Sequence, residues 1–223
     1  MPALPIGDCI KFGWETFKKR PWILIGAFAL IVLISAIPGI LSPHPEIVQG
    51  QPPPPPTPLA IVMGLIGLVV NFLVSLGFTN FALRAHDNIE AVTIGDLWNP
   101  DPIWRFLGAE LLALLIILVG LVLLVIPGII ASLGLSFAPY IVVDRGLGPV
   151  ESLKESWRIT KGNKWRIFLL GLALVGVNLL GVIAVVVGLL VSVPITLLAL
   201  VHAYRFLQAA AGPHARLSAA ASA

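Results

Sequence analysis

The sequence predicts an all-α integral membrane protein with six transmembrane helices, arranged as three tandem helical hairpins with amphipathic interfacial helices on the cytoplasmic side. Composition supports this class, because 58% of the 223 residues are hydrophobic and only 11% are charged. A soluble domain carries about 25% charged residues. With a mean hydropathy of +0.99, the chain has too few charges to cover its surface in water, so lipid must cover much of it.

The number of spans follows from the lengths of four apolar blocks, at 22–41, 59–83, 104–143 and 167–204. A helix crosses the hydrocarbon core of a bilayer in about 20 residues. Each of the first two blocks therefore fits one span. The last two blocks are about twice that length, so each fits two short spans joined by a turn.

Proline followed by glycine indicates where the chain turns. The motif Ile-Pro-Gly occurs twice within apolar sequence, once with Pro38 and Gly39 and once with Pro127 and Gly128. Proline lacks an N–H and frees a carbonyl, which water near the membrane surface can satisfy. We predict these two motifs and a break near Pro194 as the three outer corners. The predicted hairpins run over about 22–83, 104–143 and 166–205.

The basic residues predict the orientation. In a six-span arrangement all 14 Lys and Arg residues lie on one side of the membrane, and Glu46 is the single charge on the other side. The positive-inside rule then places both termini and the segments 1–21, 84–103 and 144–165 in the cytoplasm. We therefore expect a multi-pass protein of the bacterial cytoplasmic (inner) membrane.

A single six-helix domain is predicted over 1–208. An extracytoplasmic loop at 42–58 contains five consecutive prolines, which favour an extended polyproline II spacer. The alanine-rich tail at 209–223 is predicted to be disordered. The one cysteine, Cys9, excludes a disulfide within the chain.

Amphipathic helical patterns occur in two of the cytoplasmic segments. Their apolar faces consist of Ile6, Ile10, Trp14 and Phe17 in the first segment and of Val150, Leu153 and Trp157 in the third. Such helices either lie in the membrane interface, with tryptophan at headgroup depth, or pack against the ends of the bundle. The sequence leaves both arrangements open, and it leaves open whether the repeated hairpin pattern is evolutionary or convergent.

The largest basic cluster follows the fourth predicted span. Its candidate residues for binding anionic lipid or a partner protein are Arg145, Lys154, Trp157, Arg158, Lys161, Lys164, Trp165 and Arg166. Basic residues beside the inner leaflet attract anionic lipid, at about 1 kcal/mol each. The alternative is that these residues reflect cytoplasmic topology alone.

Polar side chains within the spans are few, and the candidates are Asn71, Glu110 and Asn178. They predict either a substrate path, which requires a cluster at mid-membrane, or hydrogen bonds that join neighbouring helices. The four histidines lie far apart in the sequence, with no Cys, Asp or Glu at metal-ligand spacing. No phosphate-binding or hydrolase motif occurs. We therefore expect no catalytic residue, no cofactor and no metal.

The segment 126–165 contains a series of short motifs. They are Ile126-Pro127-Gly128, Ser136-Phe137-Ala138-Pro139-Tyr140, Asp144, Gly148-Pro149, Leu153-Lys154-Glu155-Ser156-Trp157, Thr160-Lys161-Gly162-Asn163 and Trp165. Together they resemble an uncharacterised bacterial inner-membrane family related to the membrane domain that precedes some glycerophosphoryl diester phosphodiesterases. The resemblance implies a six-span membrane fold but no activity. Because the sequence runs only briefly past the sixth span, we expect no phosphodiesterase domain here.

These features favour a non-enzymatic function. We expect a polytopic membrane protein that organises lipid or partner proteins, or that serves as an accessory subunit of a membrane complex. The expected partners are membrane lipids and, in second place, other membrane proteins or a second copy of the chain; nucleic acid is not expected. The alternative is a small-molecule transporter or channel, and the third hypothesis is the membrane part of a lipid-processing system.

Overall fold

The computed structural model describes residues 2–43, 55, 57–183 and 188–212. Within these residues the chain is helical and has no β-strand. The helices are α1 (Ile6–Lys19), α2 (Pro21–Leu41), α3 (Pro58–Asp87), α4 (Ile103–Leu123), α5 (Val125–Leu135), α6 (Ala138–Arg145), α7 (Pro149–Ile159), α8 (Lys164–Ile183) and α9 (Leu189–Ala210). A 3₁₀ turn at Ile94–Leu97 lies between α3 and α4.

Six helical stretches of the described chain are long and apolar enough to cross a membrane. They are α2, α3, α4, α5 together with α6, α8 and α9, with mean hydropathies between 1.7 and 2.8. The fourth stretch is interrupted at Ser136 and Phe137, where the Ser136 hydroxyl donates to the carbonyl of Leu133 at 3.0 Å. The predictions of an all-helical chain and of six apolar helices are therefore confirmed.

The first Ile-Pro-Gly motif lies inside a helix. Pro38 and Gly39 belong to the last turn of α2, which ends at Leu41. Pro38 packs there against α3, where a methyl group on Gly67 would lie 3.4 Å from the proline Cβ. The predicted corner at this motif is therefore wrong by about one helical turn, because the remaining turn of helix still packs on its neighbour.

The turn between α4 and α5 occurs at Leu124, whose backbone is extended. Pro127 is the third residue of α5, a position at which an N–H has no partner within the helix, so proline is tolerated. Gly128 permits a close approach to α4, since a methyl group on Gly120 would lie 3.0 Å from the Gly128 Cα. The predicted corner at Pro127 and Gly128 is therefore the first turn of the returning helix.

The third predicted corner, near Pro194, is wrong. Helix α8 ends at Ile183 and α9 begins at Leu189, so Pro194 lies inside α9. The carbonyl of Gly188 accepts a hydrogen bond from the Ser192 N–H at 2.8 Å and so starts α9. Glycine at 188 also lets the backbone of α8 pack directly against it at Gly181.

Two helices extend past the ends that the sequence predicted for them. Helix α3 continues to Asp87, one turn past the predicted end at 83, and α9 continues to Ala210, past the predicted domain end at 208. Most of the predicted proline-rich loop, at 44–54 and 56, lies outside the described residues, and so does the predicted tail at 213–223.

The buried core lies where the starts of α2, α4 and α8 meet the ends of α3, α6 and α9; we call this the core end. Its largest fully buried side chains include Phe81, Phe106, Phe137, Ile141 and Tyr204. Away from the core end the helices expose large apolar side chains, as at Leu33 (66%), Val122 (85%) and Ile183 (77%). Apolar surface of this extent is suited to contact with lipid rather than water.

Arginine side chains join helix ends at the core end. Arg20 precedes α2 and donates to the carbonyls of Ile89 and Val92, which follow α3, at 3.2 Å each. Arg105 at the start of α4 donates to the carbonyl of Gly146, just after α6, at 2.7 Å. These charge-assisted bonds satisfy carbonyls that lie outside the regular helices.

Helices α1 and α7 pack on the core end through faces that share Phe17 and Leu153 with the predicted ones. The buried residues are Cys9, Gly13, Thr16 and Phe17 in α1 and Ser152, Leu153, Ser156 and Ile159 in α7. Trp14, Val150 and Trp157 of the predicted faces are exposed instead. Small and polar side chains allow close packing: a methyl group on Gly13 would lie 2.5 Å from the carbonyl oxygen of Ile195.

Candidate functional site

Part of the predicted basic cluster is paired within the protein. Glu155 accepts hydrogen bonds from Arg158 at 2.6 Å and from Arg145 at 2.9 Å. The Arg158 guanidinium holds the pKa of Glu155 below its usual value of 4.5, because the hydrogen bonds favour the ionised carboxylate. Arg158 also donates to the carbonyl of Ala211 after α9 at 2.9 Å. These two arginines therefore join helices rather than face a ligand.

Lys164 of the same cluster has an internal partner as well. Its ammonium nitrogen lies 3.0 Å from the centre of the Trp157 ring, a cation–π contact. The ring in turn covers Gly134 of α5, where an added methyl group would overlap the indole. The carbonyl of Gly134 accepts hydrogen bonds from the hydroxyls of Ser156, at 2.8 Å, and of Thr160, at 3.3 Å.

Asn163 and Arg166 hold the N-terminal segment of the chain. The Asn163 side chain accepts a bond from the Leu4 N–H at 3.0 Å and donates to the carbonyl of Pro2 at 3.2 Å. Arg166 donates to the carbonyl of Leu4 at 3.1 Å. Leu4 is fully buried. The motif at 160–163 thus binds backbone groups 160 residues away, a contact that no sequence pattern indicated.

Lys154 and Lys161 remain as exposed cations of the cluster, and neither forms a hydrogen bond or ion pair with the described residues. Trp165 is 69% exposed close by in sequence, at the start of α8. Of the eight predicted residues, the two lysines are therefore the ones without a partner among the described residues, while the exposed Trp165 ring stacks on Phe168 at 5.3 Å between centroids. Arg166 is exposed but keeps its bond to Leu4.

All six tryptophans are exposed. They are Trp14, Trp22, Trp98, Trp104, Trp157 and Trp165, with exposed fractions from 43% to 84%. Each lies in α1, α7 or the 98–104 region, or within two residues of the start of a candidate span. Exposed tryptophan is unfavourable in water but is typical of the headgroup layer of a membrane.

Two carboxylates bind Arg205 of α9 on opposite sides. Its guanidinium lies 2.8 Å from Asp144 at the end of α6 and 2.6 Å from Asp87 at the end of α3. Asp144 also accepts a hydrogen bond from the buried Tyr204 hydroxyl at 2.7 Å. The arrangement balances one cation with two anions and ties three helices together.

A pair of histidines lies beside this network. Nε2 of His86 on α3 lies 3.2 Å from Nδ1 of His202 on α9. Phe12 of α1 stacks on the His202 ring and is tilted against the His86 ring. The two histidines are 116 positions apart, so the sequence pattern did not predict a contact between them. Their spacing carried no signal, because only the packing of α3 on α9 brings them together.

The three intramembrane polar residues do not form one cluster. Asn71 donates to the carbonyl of Gly67 in its own helix at 2.9 Å. Asn178 of α8 donates to the Thr196 hydroxyl of α9 at 3.1 Å. Glu110 is half-buried on α4, and no hydrogen bond between described residues joins any two of these three. The helix-joining hypothesis therefore fits Asn178.

An apolar cavity of about 330 Å³ lies between α2, α3 and the 3₁₀ turn at Ile94–Leu97. Leu30, Ile34, Leu73, Leu97 and Trp98 are among its lining residues, and all of the lining residues are apolar. No group of three or more His, Cys, Asp or Glu side chains in the described parts of the chain could hold a metal ion. The cavity offers no polar group that would position a substrate for chemistry.

No solved structure matches the chain. The chain is 26% identical over 234 residues to Uncharacterized protein Rv2560 of Mycobacterium tuberculosis, an alignment that covers 93% of this chain and 69% of that protein. Uncharacterized protein Mb2590 of Mycobacterium bovis matches with the same identity and the same coverage. Residues 58–211, which include α3 to α9, match the family described as Protein of unknown function (DUF975), and the chain belongs to that family.

Proposed function

We propose that this chain is a non-enzymatic membrane module that binds anionic lipid headgroups at its core end. The observation that carries the proposal is the exposure of all six tryptophans around a face that also presents Lys154 and Lys161. Tryptophan sits at the headgroup layer, and lysine beside that layer attracts anionic lipid. The partners are therefore membrane lipids, with other membrane proteins or a second copy as further candidates.

The membrane arrangement belongs to the same proposal. The six apolar helices form three tandem hairpins in the bacterial inner membrane, with the core end and both termini in the cytoplasm. Helix packing supports this, because α2 packs on α3, α4 on α5 and α8 on α9. Trp14 of α1 and Trp157 of α7 are exposed, which suits helices that touch the bundle with one face and the headgroups with the other. Kinship with the phosphodiesterase membrane domain remains part of this proposal.

Reporter fusions test the orientation. Alkaline phosphatase, which folds only outside the cytoplasm, is fused after residue 43 or after residue 148. The proposal expects activity from the first fusion and none from the second. Activity from the second fusion alone would overturn the orientation while leaving the six helices unaffected.

Lipid retention tests the binding. The double variant Lys154→Gln and Lys161→Gln is compared with the unsubstituted protein. Native mass spectrometry in nanodiscs of mixed phosphatidylglycerol and phosphatidylcholine counts retained lipid. Two lysines at about 1 kcal/mol each predict a loss of anionic-lipid affinity of about tenfold to thirtyfold in the variant. Equal retention of phosphatidylglycerol by the variant and the unsubstituted protein would overturn the proposed binding.

A transporter or channel is the alternative proposal, and the membrane part of a lipid-processing system is the third. A transporter requires polar groups clustered around a cavity at mid-membrane. The separate hydrogen bonds of Asn71 and Asn178 and the apolar lining of the α2–α3 cavity support neither a transport path nor a catalytic centre. The binding module therefore accounts for more of the observed surface.

A further inference from the structure

We propose that His86 and His202 form a proton-binding site that holds a single proton and joins α3 to α9 at the core end. Nε2 of His86 and Nδ1 of His202 face each other at 3.2 Å. A hydrogen bond between two imidazole nitrogens requires that one carries hydrogen and the other does not. The number of protons on the pair therefore decides whether the contact exists.

The neighbours of His86 determine which of its nitrogens carries hydrogen. Nδ1 of His86 lies 3.1 Å from Oδ1 of Asp87, and Oδ2 of Asp87 receives a 2.6 Å bond from Arg205. A carboxylate that is paired with a guanidinium only accepts, so Nδ1 of His86 must donate. In the neutral ring Nε2 is then an acceptor, and Nδ1–H of His202 donates to it.

One added proton leaves this contact intact. If the proton goes to Nε2 of His202, the existing bond is unchanged. If it goes to Nε2 of His86, the direction reverses, and His202 accepts through Nδ1 while its own hydrogen moves to Nε2. Once both rings are cationic, both facing nitrogens carry hydrogen, and a repulsion between like charges replaces the bond.

Burial of the two rings opposes a positive charge on either of them. Among the charged groups, Asp8 of α1 and Asp87 of α3 offset this cost, whereas Arg205 of α9 adds to it by repulsion. Asp144 of α6 offsets much of that repulsion, because it is bound to Arg205 at 2.8 Å. Helix α2 also packs on α3 and α9, but it contains no charged residue.

Helix α1 covers the pair. The Phe12 ring lies 4.6 Å from His86 and 4.3 Å from His202, measured between ring centroids. Cys9 is one helical turn away on α1 and is fully buried. Burial, followed by the charge of Asp8, raises the pKa of this thiol to about 11. A second proton on the histidine pair separates the two rings under Phe12 and thereby exposes Cys9.

Nuclear magnetic resonance of ¹⁵N-labelled histidine tests the site directly. The full chain carries His44→Gln and His214→Gln, so that only the pair contributes imidazole signals. At pH 7.5 we expect the Nδ1–H tautomer in both rings, and on acidification we expect two separate one-proton steps. The Nε2–H tautomer in both rings, or a single step in which both rings titrate together, would overturn the proposal.

The reactivity of Cys9 toward 4,4′-dithiodipyridine tests the coupling to α1. The rate at each pH is divided by the rate for the unfolded chain, which removes the intrinsic pH dependence of the thiol. In the protein with both histidines, this rate ratio should increase about tenfold as the pH falls through the second protonation step of the pair. His202→Gln should show no increase, because an amide can donate or accept at His86 in either charge state. Identical profiles for the two proteins would contradict the coupling, and the resonance experiment decides the proton site even if His202→Gln does not fold.

Discussion

The guanidinium of Arg205 on α9 lies 2.8 Å from the carboxylate of Asp144 on α6. The two side chains are 25% and 14% exposed, so water screens their attraction only in part. The two residues are 61 positions apart, and the bond between them closes the core end across two helices. Asp144 belongs to the motif series at 126–165, and this contact gives that residue a structural role.

Removing the cation from this pair should destabilise the protein strongly. Arg205→Met leaves Asp144 and Asp87 without their partner, and we expect a loss of about 2–4 kcal/mol in the free energy of unfolding. Unfolding in mixed detergent micelles measures the loss. Lys11→Met is the control, because its pair with Glu15 is 3.9 Å long and its side chain is 72% exposed; we expect a change of about 0.5 kcal/mol or less. Similar losses in the two variants would show that the Arg205 network contributes little.

Two glycines of α3 should respond oppositely to the same substitution. A methyl group on Gly77 would overlap the carbonyl oxygen of Leu97, whereas one on Gly64 would meet nothing within 4 Å. Gly77→Ala should therefore cost about 1–3 kcal/mol, because a backbone group must move. Gly64→Ala should stabilise α3 by about 0.5–1 kcal/mol through helix propensity. The same unfolding assay compares them, and a neutral Gly77→Ala would mean that the 3₁₀ turn does not pack against α3.

The N-terminal segment should detach when Asn163 loses its amide. Asn163→Ala removes the acceptor for the Leu4 N–H and the donor to the Pro2 carbonyl, at a cost of about 1–3 kcal/mol for buried groups left without partners. Hydrogen exchange at the Leu4 amide should accelerate. Asn163→Asp keeps the acceptor and should give an intermediate rate. Unchanged protection of Leu4 in both variants would contradict the role of Asn163.

Stability should depend on pH through Glu155. The pKa of this carboxyl is below its usual value of 4.5, chiefly because Arg158 donates hydrogen bonds to it. A depressed pKa contributes stability that is fully present above pH 4.5 and is lost as the pH falls through the lower, folded-state value.

Glu155→Gln therefore should lower the free energy of unfolding by about 1–2 kcal/mol at pH 7, and the difference from the unsubstituted protein should shrink below pH 4.5. Unfolding curves at pH 7, 5 and 3.5 measure this convergence. Glu151→Gln is the control, because Glu151 is exposed in the first turn of the same helix. A constant difference at all three pH values would show that ionisation of Glu155 is not the cause.

The fold was predictable to the extent that it depends on hydrophobic length. Apolar blocks of about one or two membrane widths predict six helices, and the described part of the chain contains six helical stretches of that length. The corners were less predictable, because proline permits a turn without requiring one. Pro127 is accepted within the first turn of α5 and Pro194 inside α9. The turns lie instead where Leu124 is extended and where Gly188 starts α9.

The candidate site was predictable as a region and not as a set of free side chains. Charge placement predicted a basic cluster at residues that lie on and around α7. The sequence pattern could not show that Glu155 binds Arg145 and Arg158, or that the Trp157 ring contacts Lys164. These contacts depend on which faces of α7 are buried. The predicted apolar faces were right only in part: Phe17 and Leu153 are buried, but so are Ser152 and Ser156, since small side chains let helices approach closely.

The sequence by itself determined that the protein is helical and that six of its helical stretches are long and apolar enough to cross a membrane. Composition and periodicity settle these properties, because they depend on the cost of placing charges and free backbone groups in hydrocarbon. Only the tertiary structure decided which charges are paired, that the N-terminal segment is bound by Asn163, and that His86 meets His202. Several of these contacts join distant positions, 61 apart for Arg205 and Asp144, 116 for the two histidines and 159 for Asn163 and Leu4, and only the packing of helices brings such positions together.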